Sequence, residues 1–146
     1  MENTKDLLNL VLSDVFNRIM FTEEKELLEK IGKDVTIRDV HVIEAISRNV
    51  YLGNSASNMV AKTLNVTAGT LTTAVKRLEL KGYVIRIPDE KDKRINNLFL
   101  TPKGEKINKI HREFHLKMVE TITSNLSERE EKQLIDLVSK VISFFN

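Results

Sequence analysis

The apolar residues of this 146-residue chain keep helical spacing except in one stretch, between Gly82 and Pro102. Before and after it they recur three and four residues apart, the mark of helices with one buried face. Inside it, Tyr83-Val84-Ile85-Arg86-Ile87 and Ile95 to Leu100 are β-prone runs. Pro88 stops the first, and the charged segment Asp89 to Arg94 turns the chain back. This predicts one two-stranded hairpin with a charged tip. Five glycines and two prolines are too few for a many-turned all-β fold. The fold class is therefore mainly α with a small β-hairpin.

Six helices are expected around that hairpin. The first covers about residues 4–31, with Leu7, Leu8, Val11, Leu12, Val15, Phe16, Ile19 and Met20 on a wide apolar face and Gly32 as its stop. Thr36 opens the second, and Asp39 three residues on makes a capping-box arrangement; Val40, Ile43 and Ile46 line one face. Ser55 is expected to cap a short third helix with Met59, Val60 and Leu64 inward. Thr67 caps a fourth, with Leu71, Ala74, Val75 and Leu78 inward and Lys81-Gly82 at its end. Two short helices joined by a tight turn suggest a helix-turn-helix. Thr101-Pro102 starts the fifth helix, with proline at the first helical position. Ser127 and Glu130 form a capping box for the sixth. The order α-α-α-α-β-β-α-α describes a winged helix-turn-helix over 34–100, within a single domain of 1–146. The helices of 1–31 and 102–146 carry more apolar surface than a monomer could readily hide. The Val138 to Phe145 stripe and the first helix are expected to pack together and against a second copy, giving a homodimer.

The formal net charge of +2 is unevenly spread. Residues 1–53 hold 7 basic and 10 acidic side chains, residues 54–104 hold 9 and 4, and residues 105–146 hold 7 and 7. The basic middle coincides with the expected helix-turn-helix and hairpin, which points to a polyanion. Absence of cysteine excludes a disulfide framework, a Cys-based zinc finger and a thiol nucleophile. No apolar run is long enough for a membrane span and no signal-peptide pattern is present, so an intracellular, membrane-free address is expected. No nucleophile elbow, phosphate loop or HExxH spacing occurs, so no enzyme is expected.

In a helix-turn-helix the second helix enters the major groove with its N-terminal residues at the base edges. From Thr67 onward, the inward set leaves Gly69, Thr70, Thr73, Lys76 and Arg77 facing out. Threonine can hydrogen-bond a base or offer a methyl group to thymine. With no Asn or Gln in that set, the surface predicts an AT-rich, shape-read site. Lys76 and Arg77, with Ser55 and Ser57 of the preceding helix, are expected phosphate contacts. At the hairpin tip, Arg94 is placed to enter a narrow minor groove, with Asp92 orienting it and Lys91 and Lys93 adding phosphate contacts.

Asp92-Lys93-Arg94 followed by Leu100-Thr101-Pro102-Lys103-Gly104 resembles the wing signature of the MarR family of bacterial regulators. The stretches Gly69-Thr70-Leu71-Thr72-Thr73 and His111-Arg112-Glu113-Phe114-His115, continued by Met118-Val119-Glu120, are similar to the branch that represses fatty-acid synthesis genes. That resemblance implies a dimer on a pseudo-palindromic operator, with acylated acyl carrier protein as co-repressor. It also implies an effector pocket, for which Phe16, Ile19, Met20, Val40, His41, Ile43, Ile110, His111, Phe114 and His115 are the candidates. Some family members sense zinc on the corresponding helices, and His41, His111 and His115 with Glu23 or Glu24 offer such ligands. The alternative, adopted in the expectation, is that the histidines orient the effector pocket and that no metal or cofactor is bound.

Overall fold

The computed structural model describes residues 3–146. Its elements are α1 (Thr4–Ile31), α2 (Ile37–Tyr51), α3 (Ser57–Leu64), α4 (Ala68–Leu80), β1 (Val84–Pro88), β2 (Asn96–Leu100), α5 (Pro102–Thr123) and α6 (Glu128–Ser143). The order and the winged-helix fold are those expected. The chain resolves into two compact units, residues 1–112 and 113–146, divided within α5.

In the first unit α2 is the central helix. Thr36 caps it in a reciprocal capping box: its hydroxyl accepts from the Asp39 N–H, and the Asp39 carboxylate accepts from the Thr36 N–H. Val40, Ile43 and Ile46 are completely buried on its inner face, where Leu27 of α1, Val60 of α3, Leu78 of α4 and Leu98 of β2 close the core. Burial of each of these side chains contributes roughly 1.5–3 kcal/mol. Asn49 adds a polar tie to α3, donating to Thr63 Oγ1 at 3.0 Å.

The start of α3 differs from the expectation. Its cap position is Ala56, with no side-chain capping bond, and Ser55 is buried. The Ser55 carbonyl accepts from the Leu98 N–H, and Ala56 forms a β-bridge with Asn97. The segment before α3 is thus a short edge partner of β2. That tertiary pairing overrides the serine's local preference for capping and takes Ser55 away from the surface on which a phosphate contact was expected.

β1 and β2 pair antiparallel with Val84 opposite Leu100 and Pro88 opposite Asn96. The hairpin is locked to α5 by the Leu100–Gly104 run. Thr101 Oγ1 donates to the Gly82 carbonyl and accepts from the Gly104 N–H. Lys103 Nζ donates to the Lys81 carbonyl and lies 4.3 Å from the Tyr83 ring centroid. A Cβ on Gly104 would collide with the Tyr83 carbonyl oxygen, so the helix can pass this close only with glycine there.

In the second unit α6 has the Ser127–Glu130 capping box in full. None of its residues is buried; Ile135, Leu137, Phe144 and Phe145 are among its large exposed apolar side chains. In the first unit α1 is likewise exposed along Leu7, Leu8, Leu10, Val11, Phe16 and Phe21. No helix among the described residues is long and apolar enough to cross a membrane.

Candidate nucleic-acid interface

α4 begins at the Thr67 cap, whose hydroxyl accepts from the Thr70 N–H at 3.2 Å and donates to Thr70 Oγ1 at 2.9 Å. Leu71, Val75 and Leu78 are buried, while Gly69, Thr70, Thr73, Lys76 and Arg77 are exposed as the sequence implied. The hydroxyls of Thr72 and Thr73 donate to carbonyls four residues back, Ala68 and Gly69, at 2.8 and 3.1 Å. Their protons are spent within the helix, so what each offers a base is a methyl group and an acceptor lone pair. Apart from its chain neighbours and the local helix backbone, no heavy atom lies within 4 Å of where a Cβ on Gly69 would sit. The protein's own packing therefore gives no reason for glycine at that position.

Arg77 is placed differently from Lys76. Its Nη2 donates to Asp39 Oδ1, and Asp39 is 1% exposed. Arg77 is therefore engaged with the start of α2. The two residues, with Thr70 and Thr73, line a cleft of about 880 Å³ between α2 and α4.

The hairpin tip is organised by aspartates. Asp89 accepts from the backbone N–H groups of Lys91 and Asp92 and from Asn97 Nδ2, all at about 3 Å. These bonds, the Asn97 side chain foremost, hold its carboxyl below the usual range. Asp92 receives Arg94 three times: Nε at 3.0 Å and Nη2 at 2.9 Å in a two-pronged pair, and the Arg94 N–H at 3.1 Å. The Arg94 side chain lowers the Asp92 carboxyl and is itself raised in return, so the pair stays ionised. The Arg94 side chain is nonetheless 90% exposed. Asp92 thus orients Arg94 without hiding it. Lys91 and Lys93 flank it, both exposed.

Tip and helix share a groove of about 440 Å³, lined by Ser57 and Asn58 of α3, Ala68 and Thr72 of α4, Arg86 of β1, and Arg94. Asn58, Thr72 and Arg86 were not anticipated. Thr72 follows Ala68 by four residues, so the helical period alone places it on that face. Arg86 is held by Glu79 of α4 at 2.8 Å, a link 7 residues apart across the turn from helix to strand.

The expected effector-pocket residues do not share one environment. Val40 and Ile43 are fully buried in the core. Phe16 and Met20 are exposed on α1, while Ile19 and Ile110 are half-buried. Phe114, in the second unit, is buried and meets His115 edge-on with ring centroids 5.3 Å apart. His41 and His111 converge on α1: Glu23 Oε1 lies 2.9 Å from His41 Nε2 and 2.8 Å from His111 Nε2. Glu23 and His111 are buried and His41 is half-buried.

A helix presenting threonines and basic side chains, beside a hairpin carrying a preset arginine, defines a winged helix-turn-helix DNA-binding protein. The MarR family pattern matches residues 33–95. The chain is similar to *Streptococcus pneumoniae* FabT, solved in complex with DNA: 33% identity, 97% of this chain and 96% of that one covered, TM-score 0.85. It is also similar to *Staphylococcus aureus* MepR in a DNA complex, at 27% identity, with 92% of this chain and 96% of that one covered and a TM-score of 0.72. The HTH-type transcriptional regulator SarZ of *Staphylococcus aureus* (strain USA300) is 29% identical over 140 residues, covering 92% of this chain and 91% of its own. The chain belongs to the MarR family of DNA-binding transcription regulators.

Proposed function

We propose that this regulator represses fatty-acid biosynthesis genes, binding a pseudo-palindromic, AT-rich operator as a homodimer with long-chain acyl-acyl carrier protein as co-repressor. The observation that carries this reading is the likeness to the DNA-bound FabT over nearly the whole chain. The Thr72 and Thr73 side chains, with hydroxyl protons bonded inside the helix, support thymine-methyl reading. The exposed apolar faces of α1 and α6 are the surfaces a second copy would cover. An acyl chain would find Phe16 and Met20 available, whereas Val40 and Ile43 belong to the core. Site of action is the cell interior, with the operator. Gel shifts on a duplex from upstream of fatty-acid synthesis genes, with and without acylated carrier protein, test the reading. Tighter binding with the acylated carrier is expected; unchanged affinity removes the lipid claim.

A second reading has its own observation. In it zinc or another small ligand is sensed through His41, His111 and His115, and Glu23 Oε1, 2.9 Å from His41 Nε2 and 2.8 Å from His111 Nε2, supports it by setting a carboxylate beside two of these imidazoles. In that reading these side chains hold the ion, and its binding sets DNA affinity. Metal analysis of protein purified without a polyhistidine tag decides between them. Stoichiometric zinc required for DNA binding selects the second reading, and metal-free protein with full affinity selects the first.

A further inference from the structure

We propose that Asp39 and Arg77 form a clamp fixing the rotation of α4 about its own axis, which makes Arg77 a positioning residue and not a phosphate ligand. The inference rests on the DNA-binding reading and deepens it.

The buried side of α4 is an apolar stripe of Leu71, Val75 and Leu78. Apolar burial is non-directional and sets depth better than rotation. An ion pair with defined geometry supplies the missing constraint. Asp39 is suited to anchor it, because its own position is already fixed. One carboxylate oxygen accepts from the Thr36 N–H at 3.0 Å, its N–H donates to Thr36 Oγ1 at 3.2 Å, and the other oxygen takes Arg77. Releasing Arg77 toward a phosphate would leave this buried carboxylate without its cation, which is costly.

The clamp also acts on the right face. Thr70, Thr73 and Arg77 follow one another at three and four residues, and all three line the cleft beside Asp39. Side-chain tips lie roughly 5 Å from a helix axis. A rotation of about 20° moves them about 2 Å, more than a base hydrogen bond tolerates. Loss of the clamp should therefore degrade sequence reading while leaving backbone attraction intact.

The test uses the full chain and two probes: the duplex of about 30 base pairs that wild type enriches from a random library, and a scrambled duplex of equal composition. Affinities are measured over a salt series, with active protein counted by stoichiometric titration and folding checked by thermal melting. Asp39→Asn and Arg77→Met should each weaken the selected duplex about tenfold and the scrambled one less than about twofold. The double variant should be no worse than either single, because both remove the same contact. Arg77→Lys should restore most of the affinity, and Asp39→Glu, which keeps the capping box, covers the case in which Asp39→Asn melts early. The salt slope of Arg77→Met should match wild type, whereas Lys76→Ala should lose about 0.9 of slope per protomer, about 1.8 for the bound dimer, on both duplexes.

The clamp is overturned if Arg77→Met behaves like Lys76→Ala, if Asp39→Asn binds as well as or better than wild type, or if the double variant multiplies the single losses. Wild type that enriches no duplex overturns the DNA reading itself, a result separate from any of these.

Discussion

Replacing Gly69 by alanine separates the folding role of α4 from its DNA role, because the two effects have opposite signs. Gly69 is the second residue of α4 and its φ is not positive. An added Cβ meets nothing within 4 Å. Alanine in a helix is favoured over glycine by roughly 0.5–1 kcal/mol, chiefly through the smaller entropy lost on folding. For a chain of this length that corresponds to a melting temperature higher by about 1–4 °C. On DNA the same methyl projects from the exposed N-terminal turn toward the base edges. If the backbone lies against the groove, the methyl must push the helix out, and losing one good base contact weakens binding about 5- to 150-fold in each half-site. Thermal melting and gel shifts on the selected duplex read the two effects. A higher melting temperature with weaker binding is expected. Unchanged affinity would refute the close approach, and a lower melting temperature would refute the open surroundings assigned to residue 69.

Three further outcomes follow from the geometry. Arg94→Ala should weaken operator binding about 5- to 150-fold without moving the melting temperature, since the side chain is 90% exposed and bonded only within the hairpin tip; wild-type affinity in a gel shift would remove the wing assignment. Gly104→Ala should destabilise the fold by more than the roughly 1 kcal/mol alanine ordinarily gains over glycine, because its Cβ collides with the Tyr83 carbonyl; an unchanged melting curve would show that α5 can shift at no cost. The Tyr83 hydroxyl donates to Asp34 Oδ2 at 2.5 Å. Burial first and this bond second push Tyr83 up to about 12, while the same bond, ahead of Lys81 and Lys103, holds Asp34 below its ordinary value. Tyr83 therefore contributes stability that is complete below pH 10 and lost as pH rises toward 12. Asp34 contributes stability present above about pH 4 and lost as pH falls through its lowered value. Tyr83→Phe should flatten the alkaline loss in melting temperature and shrink the acid one; a variant with the wild-type pH profile would break the assignment.

What the sequence made legible was local. The Thr36–Asp39 and Ser127–Glu130 capping boxes, the Thr67 cap and the Pro102 start are each complete within a few residues, so their chemistry can be read along the chain. The inward set of α4 follows from its period. The errors lie where a distant partner decides. Ser55 has a capping residue's chemistry, but the Leu98 N–H draws its carbonyl into the sheet. Val40 and Ile43 are apolar residues that a pocket wall and a core use equally, so the sequence alone does not show that both are fully buried.

Asp39 shows the same limit in a residue read correctly. Its capping role is written three residues away, while its second partner is 38 residues on and leaves no local trace. Two residues further along α2, His41 reaches Glu23 of α1, which also takes His111 of α5. One turn of α2 thus touches the recognition helix on one side and the buried carboxylate on the other. Glu23 and His41 thus meet within two residues of the anchor holding α4. A shift of α2 at His41 therefore cannot leave Asp39 in place, because a single helical turn is stiff. In the proposed reading, an effector acting on the Glu23 group would reach the DNA-reading helix α4 through this turn of α2. Asp39→Asn should accordingly weaken any coupling between effector and DNA affinity as well as the affinity itself, measured as the ratio of operator affinities with and without effector. An unaltered ratio in that variant would mean that the signal reaches α4 by another route.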